Sequence, residues 1–310
     1  MIDVRKLLRI QTLIGFWRIF RRSRSGVFGL CVIVFFVLMA IFADVLAPIS
    51  PWKLGDVSFM PPFATFSNIL GTDQLGRDIF SGIIHGARTS LEIGVFSALI
   101  SSAVGVVIGS VSGYFGGKTD DLLMRVTDLF LVFPAFLLAL LISTFLVPSI
   151  WNVIFVLTIV QWPAVARLAR VEFLRIKQLS FVEGLRSIGV KNHKIMFSEI
   201  LPNAMPPIIV NGTLLVGRAI LLEAGLSYFG LGDPNSMSWG YMLQNANAFL
   251  GRAWWMSIFP GLAISLIVLG TTLFGDALND ALNPRTKQFV WGAIARKEAM
   301  EQTPLQQASN

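Results

Sequence analysis

The sequence predicts an all-α, polytopic membrane protein with six transmembrane helices. Three observations carry that expectation: a shortage of charge, six apolar runs long enough to cross a bilayer, and basic residues gathered in alternate connections. The chain has 310 residues, of which 54% are hydrophobic and only 14% charged, with a mean hydropathy of +0.69. Soluble domains are about half apolar as well, but about a quarter of their residues are charged, so the missing charge is the informative part. No alternating barrel pattern occurs, and only helices or closed barrels satisfy the backbone inside a bilayer.

A basic amphipathic segment, residues 1–26, comes first. Leu7, Ile10, Ile14 and Trp17 recur at helical spacing while Arg5, Arg9, Arg18 and Arg22 lie elsewhere around the helix, the pattern of a helix resting on the lipid of the cytoplasmic leaflet. The first transmembrane helix, 27–47, opens on an uncharged run and closes at Asp44 and Pro48. No A-x-A site follows it, and Leu30 before Cys31 spoils a lipoprotein motif, so it reads as an uncleaved span. Residues 48–88 form an extracytoplasmic segment. The core, 89–283, holds five further spans at about 91–112, 126–147, 150–166, 207–230 and 254–274, and a long cytoplasmic loop at 167–205. Residues 284–310 are a cytoplasmic tail.

The basic residues set the orientation. They crowd the amino-terminal segment, the second-to-third connection (Lys118, Arg125), the 167–205 loop (Arg167, Arg170, Arg175, Lys177, Arg186, Lys191, Lys194) and the tail (Arg285, Lys287, Arg296, Lys297). The opposite side carries only Lys53, Arg77, Arg88 and Arg252. Both termini are therefore expected in the cytoplasm. The sequence pI near 9.9 is assigned to these loops, with no nucleic-acid partner.

Several apparent chemical motifs dissolve on inspection. Gly113-Tyr-Phe-Gly116-Gly117-Lys118-Thr119 looks like the end of a phosphate-binding loop, but Ser112 stands where the pattern requires glycine, and a membrane span precedes it instead of a strand. Cys31 is alone, and His85 and His193 are not in metal-ligand spacing. No catalytic, metal or cofactor-binding residues are assigned, and an enzyme is not expected. Charges inside spans usually mark function. Glu92 stands one helical turn from Arg88, where an i,i+4 pair is the plain reading. Arg218 and Glu223, five residues apart, do not share a face and are candidates for a pathway or gate.

The 167–205 loop holds the strongest pattern. Phe181, Val182, Leu185 and Ile188 fall on one face of a short helix, Gly189 ends it, and helix resumes at about 193–200 before Leu201-Pro202. Such a helix fits a groove in another protein, and it fits equally well against its own bundle. Glu183-Gly184-Leu185, then Gly189, then Leu201-Pro202, resembles the EAA loop of ABC importer permeases, departing from it at Gly184, Leu185 and Glu199. Gly71-Thr72-Asp73-Gln-Leu-Gly76-Arg77-Asp78 is similar to the signature of the dipeptide/oligopeptide/nickel permease family. Gly113 to Gly117, Glu223 to Gly232, Trp239-Gly240 with Met242-Leu243, and Gly275-Asp276 with Asp280 to Pro284 extend the likeness in the order of its C-type subunit.

The resemblance implies a type I ABC importer permease fold in a prokaryotic inner (plasma) membrane. It implies a homologous second permease subunit, two cytoplasmic ABC ATPase subunits that use ATP, and an extracytoplasmic solute-binding protein. No cofactor is implied for this chain itself. The EAA helix would dock on an ATPase, driving alternating access for a peptide or related small solute. The segment 233–252 would face the binding protein, and the Gly71 signature would brace the second span. A secondary transporter or channel is the rival class, but the first three spans show no echo in the last three.

Overall fold

The computed structural model describes residue 17 and residues 19–66 and 68–282. The amphipathic helix expected within 1–26 falls mostly outside the described residues, and the tail 284–310 does so entirely. The elements are α1 (Arg24–Ile41), α2 (Ala43–Leu46), α3 (Ile79–Phe115), α4 (Gly117–Val132), α5 (Ala135–Ser143), α6 (Ile150–Lys177), α7 (Ser180–Ser187), α8 (Asn192–Lys194), a π turn (Ile195–Ile200), α9 (Leu201–Tyr228), α10 (Trp239–Ala246), a 3₁₀ turn (Asn247–Phe249) and α11 (Trp255–Leu282). No strand occurs among the described residues beyond an isolated bridge between Thr72 and Asp78.

Five helices are long and apolar enough to cross a membrane by themselves, and α4 with α5 reaches that length only as a pair, bent by 87° at the junction, the shape of a broken span or a re-entrant loop. The sequence reading treated that third span as one helix. Pro134 is the reason it is not: the residue before a proline is pushed out of the helical region, and Phe133 sits at φ −83°, ψ 137°. Pro163 acts differently. It lies inside α6, which runs on to Lys177, because packed neighbours tolerate the lost hydrogen bond. The first eleven residues of the expected 167–205 loop are therefore helix. Leu201 and Pro202 likewise open α9, proline suiting a first turn where no N–H is needed.

Helix α3 starts at Ile79, inside the segment 48–88 expected to lie outside the membrane, and Asp78 caps it by accepting from the Ser81 N–H at 2.8 Å. Its 37 residues span about 55 Å at 1.5 Å per residue, well beyond a hydrocarbon core of about 30 Å. Arg88, on this helix, does not pair with Glu92. It reaches α1 and α2, donating to the Ala40 carbonyl at 3.2 Å and to Asp44 at 2.9 Å. A partner carboxylate on a neighbouring helix replaces the local one.

Small residues set the helix directions. A Cβ on Gly105 would meet Val165 and the Trp162 carbonyl, one on Gly109 would meet Ala166 and Ala169, and one on Gly113 would meet Arg170 and Phe173. The matched steps of four make α3 and α6 parallel neighbours. Gly94 faces Ile220 and Gly212 faces Ser102, so α9 runs antiparallel to α3. Gly26 and Gly29 face Ala277 and Gly270, so α1 runs antiparallel to α11. Without a hydrophobic drive between helices in lipid, such close contact is the main source of cohesion. Outside it lies an apolar belt that includes Phe35, Leu38, Leu99, Ile100, Leu262 and Leu266.

Gly109→Val should force α3 from α6 and cost about 1–3 kcal/mol through overpacking, read as a lowered melting temperature in detergent and reduced folded yield. Gly261→Val, where an added Cβ meets nothing within 4 Å, should change neither. Equal tolerance of both variants would refute the close-packed α3–α6 contact.

Candidate functional site

At one end of the bundle the chain makes an elbow from Gln178 to Ile200, and its sharpest point is a helix stop. Helix α7 ends with the Val190 N–H donating to the Leu185 carbonyl at 3.1 Å and the Gly189 N–H donating to the Arg186 carbonyl at 3.0 Å. This pair of bonds is the Schellman motif. It places Gly189 at φ +77°, a left-handed conformation that a Cβ disfavours. Leu185 and Val190, which flank the stop, both pack on the cluster beneath it.

The four apolar residues expected to share one face of α7 are split between two. Val182 is fully buried and joins Phe173, Ile176, Ile195, Met196 and Ile200 in a core sealed at the elbow end. Leu185 is half-buried against that core, whereas Phe181 is 42% exposed and Ile188 76%. Glu183 and Gly184 are exposed beside them. Helix α7 is thus plugged into the bundle by one pair of side chains and presents another pair outward, together with exposed Leu179 and Phe197. Leu201 packs against the same core at the base of α9.

Tyr114 is the anchor that sequence reasoning passed over. It is 4% exposed. Its hydroxyl donates to Asn192 Oδ1 at 2.8 Å, and its carbonyl accepts from Lys177 Nζ at 2.5 Å. The Arg186 guanidinium lies 5.4 Å from its ring centroid. One residue of α3 therefore ties the end of α6 to both arms of the elbow. The available signal was its place between Gly113 and Gly116 at the end of a span, a stretch weighed as a phosphate-binding loop and as part of the family likeness, with no anchoring role given to the tyrosine. Beside it, Arg170 grips Asp120 through both carboxylate oxygens at 2.5 and 2.6 Å, joining α6 to α4.

The opposite end carries the Gly71–Asp78 signature as a clasp. Thr72 Oγ1 donates to the Val57 carbonyl at 2.8 Å and accepts from the Met60 N–H at 2.9 Å. Asp73 Oδ1 accepts from the N–H groups of Leu75 and Arg77, each at 2.8 Å. Burial pushes the Asp73 carboxyl above its ordinary range, against those backbone donors, which pull it down. Arg77 lies over the Trp52 ring at 5.0 Å, and Trp255 Nε1 donates to the Thr72 carbonyl at 3.1 Å. Gly71 and Gly76 have φ of +82° and +73°. A Cβ on Gly76 would strike the Gly55 carbonyl.

Arg218 and Glu223 are not brought together. Glu223 is 1% exposed, and its Oε1 accepts from Ser227 at 2.6 Å and from Ser238 at 2.8 Å. Ser238 also caps α10, so Glu223 ties that short helix to α9. Arg218 is exposed on α9. No group of three or more potential metal ligands occurs among the described residues.

Tyr114→Ala should loosen the elbow by about 3–5 kcal/mol, the usual cost of deleting a buried aromatic ring. Tyr114→Phe should cost about 1 kcal/mol for the lost hydrogen bond. Melting temperature and protease cleavage between residues 178 and 194 measure both, and identical behaviour of the two variants would deny the ring its anchoring role.

Comparison with known proteins agrees with this architecture. Residues 105–288 match the family described as binding-protein-dependent transport system inner membrane component, and residues 13–62 match the N-terminal TM domain of oligopeptide transport permease C. The chain is 38% identical over 268 residues to the dipeptide transport system permease protein DppC of Alkalihalophilus pseudofirmus, covering 86% of this chain and 88% of that one. It is 39% identical to the di/tripeptide transport system permease protein DppC of Pseudomonas aeruginosa, covering 88% and 92%. It is also 39% identical to the glutathione transport system permease protein GsiD of Escherichia coli, covering 88% and 90%. The fold is similar to a chain of the MetNI methionine ABC transporter in an inward-facing conformation, with a TM-score of 0.56 at 17% identity over 65% of this chain and 96% of that one. With the elbow, the clasp and these matches in place, the chain belongs to the binding-protein-dependent transport permeases of the inner membrane, in the oligopeptide C-type branch.

Proposed function

We propose that the chain serves an ATP-binding-cassette importer for peptides, working beside a homologous second permease, two cytoplasmic ATPases and an extracytoplasmic solute-binding protein. The observation that carries this reading is the two-sided elbow. Val182 plugs α7 into the bundle while Phe181 and Ile188 stay uncovered, the arrangement of a lever fixed at one side and open to a partner's groove at the other. The partner ATPases use the ATP, and this chain binds no cofactor. The peptide class is supported by the di- and tripeptide permeases among its relatives.

The elbow end is assigned to the cytoplasm. Lys118, Arg125, Arg167, Arg170, Arg175, Lys177, Arg186, Lys191 and Lys194 all lie at or near that end, against Lys53, Arg77, Arg88 and Arg252 at the clasp end. Basic connections stay inside. The clasp, α10 and the 233–252 segment then face the binding protein.

Gly189→Val should cut uptake per folded transporter at least tenfold, while Gly189→Asn, which enters the left-handed region more readily, should retain most of it. An added Cβ at Gly189 meets nothing within 4 Å, so the defect is one of backbone conformation rather than crowding. The measurement is uptake per assembled complex, alongside ATPase co-purification. Wild-type uptake and undiminished ATPase association in the valine variant would refute the coupling role.

Single cysteines at Lys191 and Asn235, both exposed, in a Cys31→Ser background should report the orientation. An impermeant thiol reagent on intact spheroplasts should label position 235 and spare 191. The reverse pattern would invert the topology.

A further inference from the structure

Helix α9 carries a charge that no described residue satisfies. Arg218 lies well inside α9, ten residues from its end at Tyr228, which places it about 15 Å along the axis from that end. It is exposed, and no hydrogen bond or ion pair reaches it from the described residues. Asn211 stands two turns earlier on the same face, with its Oδ1 buried and unpartnered. That face also carries Leu221, which is 57% exposed, so none of the described elements covers it.

A second observation comes from α6. Gln161 is 6% exposed, yet neither its Oε1 nor its Nε2 has a hydrogen-bond partner, and Thr158 Oγ1, one turn away, has none either. Helix α3 sets the level of these groups. Gly105 meets Trp162 and Val165, while Ser102 meets Gly212, so Gln161 on α6 and Asn211 on α9 stand at one depth in the bundle. Buried polar atoms are almost always bonded to protein or water, and an arginine at mid-membrane depth faces a watery cavity or a partner instead of lipid. The unpartnered groups of two adjacent helices, Gln161 and Asn211, stand at one depth, and Arg218 lies about 10 Å further along α9.

We propose that the α6–α9 face bearing Gln161, Asn211 and Arg218 is this subunit's lining of the solute path, and that Arg218 receives the solute's carboxylate. For a peptide this is the C-terminal carboxylate, which a guanidinium grips through two parallel hydrogen bonds. The amide groups of Gln161 and Asn211 exchange bonds with peptide groups and water as the solute passes. This assignment rests on the peptide-importer reading given above.

The test uses the complete importer with its binding protein in proteoliposomes, and radiolabelled trialanine and trialanine amide as probes. Wild type should import trialanine and take up the amide poorly. Arg218→Gln should lower trialanine uptake at least tenfold, with an unchanged melting temperature, an intact complex and retained ATP hydrolysis stimulated by the binding protein. Arg218→Lys should restore at least a third of the uptake, and uptake of the amide should not fall further in Arg218→Gln. Gln161→Leu should lower uptake without lowering stability, since an apolar side chain replaces an unpartnered amide. Dissociation of the two permeases or a lowered melting temperature in Arg218→Gln would overturn the proposal and assign Arg218 to an ion pair with the second permease. Wild-type uptake by Arg218→Gln would overturn it alone, leaving the importer reading standing. Absence of trialanine uptake by wild type would overturn both.

Discussion

The close approach of α3 and α6 is the contact on which the rest of this structure depends. Along it Gly105, Gly109 and Gly113 remove side chains from α3 at every fourth position, and Val165, Ala169 and Phe173 of α6 fill the space. In lipid the two helices gain nothing from hiding apolar surface, so their cohesion comes from atoms in contact, and each added methyl group works against it. The stripe does more than glue. It fixes the relative height of two parallel helices all the way to their common end. Tyr114 follows Gly113 directly, so it arrives beside Lys177 with its ring under Arg186. A one-residue slip would rotate Tyr114 by about 100° and empty the elbow's anchor.

The two ends of the bundle are then built on different principles. The clasp end is held by short-range polar closure: Thr72, Asp73 and Asp78 each satisfy backbone groups within a single loop, and Trp255 and Trp239 lock that loop and α10 to the helices. Glu223 extends the same logic into α9 through Ser227 and Ser238. The elbow end is held by one apolar core and a few long-range bonds from Tyr114, Lys177 and Arg170. Many short bonds tie the clasp to itself at close range, whereas one plug and a few distant ties hold the elbow to the bundle.

Much of this was legible in the sequence, and the failures share a physical cause. Hydropathy found the five helices long and apolar enough to cross a membrane and the bent α4–α5 pair, because a bilayer demands apolar length whatever the neighbours are. It could not see that α3 begins at Ile79 or that α6 continues to Lys177, since those extensions leave the hydrocarbon and are held by packing. Three prolines show the same limit. Pro134 breaks a helix, Pro163 is absorbed by one and Pro202 starts one, and local rules treat the first two alike. Arg88 chose Asp44, 44 residues away, over Glu92 one turn along, a choice made by the approach of α1. At the elbow, the spacing of Phe181, Val182, Leu185 and Ile188 gave the helix and Gly189 gave its stop. Which residue faces inward was undetermined, because an amphipathic pattern describes a face and not its partner.

Under the proposed coupling role, that point decides how force would pass through the elbow. An eight-residue helix is far too short to be stable alone, so α7 depends on the hold on its C-terminal end and on one face. The Schellman bonds close its end, Val182 holds its inner face, and the Leu185–Val190 pair seals the stop against the core. A partner gripping Phe181 and Ile188 therefore cannot unwind α7 without first withdrawing Val182 from a fully enclosed site, which loses buried area at about 25 cal/mol per Å². The path of least resistance is to move the whole elbow. Its base is Phe173 and Ile176 of α6 and Ile200 of the turn into α9, so the proposed displacement would pass into the two helices that carry Gln161, Asn211 and Arg218. The rigidity that makes α7 foldable is the same property that the proposed action on the path requires.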